Sequence, residues 1–160
     1  MKRAWSLLWA ARWIARWEGF LSKAYLDTLA EPNVWTIGYG HTGGVLPWAV
    51  ISKPAALRLL AKDCRFAAKT VSRSIGVPLT VRQRMALISL VFNCGPAAVE
   101  GSTLQRLLNK SMYRSAGLEI LKWDHAGGVR VLGLTRRRRA EYKMFMSKLP
   151  RSSKHGTRRS

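Results

Sequence analysis

Acidic residues are scarce in this chain. Eight Asp and Glu stand against 28 Lys and Arg, for a formal net charge of +20 over 160 residues. A pI near 11.4 excludes roles that need an acidic surface. It implies an anionic counterpart: nucleic acid, an acidic membrane, or a cell-wall polymer carrying carboxylates and phosphates. Cysteine is nearly absent too. Cys64 and Cys94 cannot build a disulfide framework, although a single bridge stays open. Both fall in apolar periodic segments, where a thiol packs as a small hydrophobe. A long uncharged run is also missing. The N-terminus MKRAWSLLWAARWIARW starts basic and turns apolar, but Arg12 and Arg16 interrupt it. No uncharged run is long enough to span a bilayer, and no small-residue cleavage site follows. Repeats and interdomain linkers are lacking as well.

What is present suits one domain with a core, since 48% of residues are hydrophobic. We expect a single domain over 1–149 and a basic disordered tail over 150–160. Leu7, Leu8, Ala11, Ile14 and Ala15 follow helical spacing, predicting a first helix over roughly 4–17. VWTIGYGHTGG reads as a strand or hairpin. A long helix follows, capped by Ser52 with Pro54 in its first turn, until GVP at 76–78 breaks it. LTVRQRMALISLVFNCG is the most apolar helix, with Thr80 as cap and Gly95 as stop. Shorter helices are expected near 102–109 and 112–122, then a loop WDHAGGVRVLGL and a last helix capped by Thr135. Trp5, Trp9, Trp13 and Trp17, spaced by four, form a stripe that either packs on the C-terminal helices or faces lipid.

Scattered acids would offset the cationic repulsion better than clustered ones. Yet Glu18, Asp27 and Glu31 all fall within RWEGFLSKAYLDTLAEPNVWTIGYGHTGG, residues 16–44. Glu18 shares a helical face with the apolar positions 11 and 14. A carboxyl at that core edge loses hydration, which favours the protonated form that a general acid needs. Strand alternation puts Thr36, Gly38 and Gly40 on one face, leaving room for a substrate against the backbone. It puts His41 on the other face, where pairing with an acid such as Asp63 would tie the hairpin to the long helix. Two carboxylates flanking a bond are the requirement of glycoside hydrolysis.

Glu18, eight residues, Asp27, and then Thr36 opening TIGYGHTGG resemble the phage-type lysozymes of glycoside hydrolase family 24, the endolysins. RQRMALISLVFNCG, STLQRLLN, WDHAGG and GLTRRRRAE resemble later family motifs in the right order, so the resemblance covers roughly residues 8–147. It implies an α+β, mainly helical fold: a small lobe with a β-hairpin, a larger helical lobe, and a cleft between them. It implies cleavage of the β-1,4 bond between N-acetylmuramic acid and N-acetylglucosamine in peptidoglycan. Glu18 would be the general acid, Asp27 would organise the attacking water, and Thr36 would assist it. No cofactor and no metal are implied. Within these motifs we also expect substrate contacts at Asn93 and Arg136. The spacing departs from the commoner family pattern, in which five residues separate Asp from Thr. Here TLAEPNVW intervenes, so strict spacing would select Asn33, and Glu31 becomes a rival carboxylate. TIGYGH anchors Thr36 from the other side.

The run Arg136–Arg139 follows the expected cap at Thr135, where four cations oppose the helix dipole. Internal pairs with Glu141 or Asp124 would offset that, as would anions of the wall. Three readings remain open: a muramidase, a cationic membrane-permeabilising protein, and a nucleic-acid binder. The last lacks any recognised binding motif, so no specific nucleic-acid partner is expected. A lytic transglycosylase is the nearest enzymatic alternative. We expect a monomer held in the host cytoplasm until lysis, with charge aiding contact with the anionic envelope and a holin giving access to peptidoglycan.

Overall fold

A computed structural model describes residues 2–28 and 32–147, without the side chains of residues 2–6. Glu31, the side chain of Trp5 and the expected tail over 150–160 lie outside these. The chain runs α1 (Lys2–Ile14), β1 (Leu21–Asp27), β2 (Val34–Gly38), α2 (Lys53–Ser74), α3 (Val81–Cys94), a 3-10 turn (Pro96–Ala98), α4 (Thr103–Asn109), α5 (Tyr113–Ile120), β3 (His125–Ala126), β4 (Val129–Arg130) and α6 (Leu132–Met146). This is the expected α+β, mainly helical architecture.

Local chemistry explains the helix ends. The Ser52 hydroxyl accepts from the Ala55 amide, and Pro54 sits in the first turn of α2. Thr80 and Gln83 form a capping box that starts α3. Gly95, at φ 81°, ends it. From Met85 to Val91 every residue of α3 is buried, so this helix is the centre of the core. Ala10, Ala11 and Ile14 of α1, Leu60 and Val71 of α2, and Phe145 of α6 pack with it. Cys64 lies fully buried in the same core and Cys94 is half-buried; both are free thiols.

The small lobe is the antiparallel β1–β2 hairpin, in register Tyr25↔Thr36, Leu26↔Trp35 and Asp27↔Val34. The register shifts between Leu21 and Tyr25 of β1. Ala24 donates to Ala49 and Ile51 donates to Ser22, so the segment before α2 lines the other edge of β1.

Two expectations need correction. WDHAGGVRVLGL is not all loop: β3 and β4 pair around Gly127 and Gly128, which turn at φ 55° and 79°. Two glycines with positive φ make the tight hairpin turn. Nor does Thr135 cap the last helix. The helix starts at Leu132 after an extended Val131, and the Thr135 hydroxyl instead donates to Asp124 at 2.9 Å. Among the described residues no helix is long and apolar enough to cross a membrane.

Candidate active site

Glu18 stands one turn beyond α1, its amide donating to the Ile14 carbonyl at 3.3 Å. Its surroundings are not the apolar edge expected. Arg137 Nη1 donates to Glu18 Oε1 at 2.7 Å, and the Arg137 side chain is 5% exposed. The same guanidinium reaches Glu141 Oε1 at 3.4 Å through Nε. Arg138 completes the chain. Its Nε lies 2.8 Å from Glu141 Oε2, an ion contact rather than a directed hydrogen bond, while its Nη2 donates to Glu141 Oε1 at 3.2 Å and to Asn93 Oδ1 at 2.9 Å. Nη1 points at the Cys94 sulfur. Ser89 donates to Glu141 at 2.6 Å from the centre of α3.

Two arginines and two carboxylates therefore alternate from α1 to the end of α3. Burial pushes the Glu141 carboxyl above its ordinary value, against the opposing pull of Arg138, Ser89 and Arg137. Burial likewise raises the Cys94 thiol, although Arg138 opposes it. The expected pairing of the arginine run with Glu141 is present. Asp124 is held elsewhere, by Arg130, His125 and Thr135. Burial pushes Asp124 up, but these partners outweigh it and hold the carboxyl below the usual range. Arg136 is exposed on α6 and outside the network. The arginine that meets Glu18 is its neighbour, which sequence reasoning passed over. A signal existed: Glu141 is the one acid near the run, and positions three and four before it share its helical face.

The hairpin carries the other candidates. Asp27 pairs with Val34 and Tyr25 with Thr36, so Asp27 and Thr36 are diagonal neighbours on one face. In a regular ladder such neighbours sit about 7–8 Å apart. Thr36 is buried, its hydroxyl donating to the Val34 carbonyl at 3.4 Å. Asn33, the rival by spacing, precedes β2 and is exposed. Thr36, not Asn33, is therefore the residue that shares a sheet face with Asp27.

The glycines of TIGYGH serve the backbone. Gly38 is at φ 68°, and a side chain there would meet the Ala56 Cβ at 3.1 Å. The space beside it is filled by α2 rather than left for a substrate. Gly40 is not on the strand at all; it turns the chain at φ 84° toward the Ile37–His41 bridge. His41 reaches back to α2, Nδ1 lying 2.9 Å from Asp63 Oδ2 and Nε2 2.8 Å from the Gly43 carbonyl. That contact is the one anticipated for it. Among the described residues no group of His, Cys, Asp and Glu is arranged to hold a metal ion.

Comparison with known proteins bears on this arrangement. The sequence pattern of the family described as phage lysozyme matches residues 15–141. The chain is 38% identical over 135 residues to the endolysin of Salmonella phage P22, covering 81% of this chain and 90% of that one. It is 38% identical over 131 residues to the endolysin of Bacillus phage B103, but there it spans 49% of the relative's length. The crystal structure of a point mutant of P22 lysozyme superposes with a TM-score of 0.76 at 35% identity, over 86% of this chain and 95% of that one. The muramidase domain of SpmX from Asticaccaulis excentricus superposes at 0.77 with 28% identity, over the same shares of each chain. The chain belongs to the phage lysozyme family.

Proposed function

We propose that this protein is an endolysin muramidase, a glycoside hydrolase that cleaves the β-1,4 bond between N-acetylmuramic acid and N-acetylglucosamine and so lyses the host cell. The observation that carries the reading is Glu18, fixed at the end of α1 by a buried arginine from α6. Glu18 donates a proton to the leaving glycosidic oxygen. Asp27 orients the attacking water, with Thr36 beside it on the same strand face. Inversion at the anomeric carbon requires the two carboxyls to stand about 6.5–9.5 Å apart with water between them. Arg137 is a positioning residue: it meets the carboxyl, not the reacting bond. Asn93, exposed and held by Arg138, offers its amide to the glycan, and Arg136 faces solvent for anions of the wall.

Mass spectrometry of digested peptidoglycan tests this. Wild type should release ordinary reducing muropeptides, and Glu18→Gln should release none while keeping its charge-driven binding to the wall. Anhydro products would replace hydrolysis by transglycosylation.

The same reading takes the enzyme to act as a monomer, made in the host cytoplasm and passed through a holin. Exposed Arg12 and Arg16 support it, because they interrupt the N-terminal apolar segment. Cells expressing the protein alone should stay intact until their membrane is permeabilised. Lysis without permeabilisation would remove the holin from the account.

A further inference from the structure

On α1 and the turn after it, the residues Trp9, Arg12, Trp13 and Arg16 recur at helical spacing and form one stripe. They open onto a groove of about 730 Å³, walled by the start of α3 and the end of α6. Its floor is apolar: Trp13, Met85 and Met144, with Trp9 and Val81 at the lips. Trp9 is 58% exposed and Val81 62%. Its rim is cationic: Arg12 and Arg16 on one side, Arg82 and Lys143 on the other. Arg82 donates to Ser147 at 3.2 Å at one end. Among the described residues no acid lines the groove. None of these side chains belongs to the Glu18–Arg137–Glu141–Arg138 network.

We propose that this groove docks the protein peripherally on an anionic phospholipid bilayer. The argument is charge and polarity together. Phosphate headgroups match the four cations, and the acyl boundary matches the tryptophans, whose amphipathic rings favour that depth. A soluble polyanion would satisfy the rim and leave the floor wet. A second copy of the chain would bring the same cations against themselves. The chain's own C-terminal segment, RSSKHGTRRS, is basic without an acid and is repelled too.

Co-sedimentation with vesicles tests this, using phosphatidylcholine alone and an equimolar mixture with phosphatidylglycerol. The full chain should bind the mixed vesicles selectively. Arg12→Glu combined with Arg82→Glu should lower the partition coefficient by at least about tenfold, since each cation near an anionic surface contributes on the order of 1 kcal/mol. Arg58→Glu with Arg65→Glu, exposed on α2, makes the same change in net charge and should lower it much less. Trp9→Ser, which alters no charge, should also weaken binding. All five positions are exposed, and circular dichroism checks that each variant folds. Equal losses from the two charge reversals would overturn the proposal in favour of net charge alone. Unchanged binding by Trp9→Ser, with full competition by a DNA oligonucleotide, would make the groove a polyanion site instead.

Discussion

Arg137 holds two carboxylates at once, that of Glu18 just beyond α1 and that of Glu141 in the core. Its planar fork spans Glu18 and Glu141 in a way the single ammonium of lysine cannot. Arg137→Lys should therefore keep the charge and lose the geometry. We expect turnover to fall by up to about a hundredfold, the scale of a displaced catalytic group. Arg137→Ala should also destabilise the fold by about 3–5 kcal/mol, because it strips a partner from buried Glu141. Turnover on purified peptidoglycan and urea unfolding separate the two effects; wild-type turnover in Arg137→Lys would remove the positioning role. At this scale the sequence was legible in part. His41 and Asp63 were paired correctly from strand alternation, although His41 follows the Gly40 turn and is set by its bridge to Ile37 rather than by β2. The arginine run carried a cue as well, since Glu141 lies three and four residues beyond Arg138 and Arg137, but only helical spacing picks that pair out of four identical residues.

Among the elements, the β1–β2 hairpin is joined to α2 by two devices, the His41–Asp63 hydrogen bond and the close approach of Gly38 to Ala56. They predict unequal costs for two similar substitutions. Gly40→Ala meets open space and should lose only about 1 kcal/mol to its positive φ. Gly38→Ala adds crowding against α2 and should lose about 2–4 kcal/mol. Thermal unfolding should rank them in that order, and equal losses would mean that α2 yields easily at Ala56. The helices were readable because caps and apolar periodicity agree in α2 and α3. Gly38 was misread because a tight packing contact and an open groove leave the same mark in a sequence. The β3–β4 hairpin did carry its Gly-Gly signal, but strands of two residues offer no alternation to support it.

For the whole molecule, the scarcity of acids acquires a pattern. Glu18, Glu100, Glu119, Asp124 and Glu141 each hold at least one cationic side chain, and Asp63 holds the His41 ring. Acid should therefore loosen the fold, with signs that differ by site. Asp124 is held below its ordinary 3.8, so its contribution is full above that value and is lost as pH falls through the lower folded value. Glu141 is raised above 4.5 by burial, so its contribution runs the other way and declines as pH rises through its folded value. Melting temperatures taken between neutral and strongly acidic pH should fall less steeply below pH 3.8 in Asp124→Asn than in wild type. An identical slope would remove Asp124 from the acid response. The Glu18–Arg137 pair has a consequence in time as well as space. Its partners are 119 residues apart in sequence. At ribosomal speeds of about 5–20 residues per second, roughly 6–24 seconds pass between the synthesis of the one and the other. A chain interrupted before α6 carries Glu18 without Arg137. Translation itself thus withholds this pair until α6 has been made.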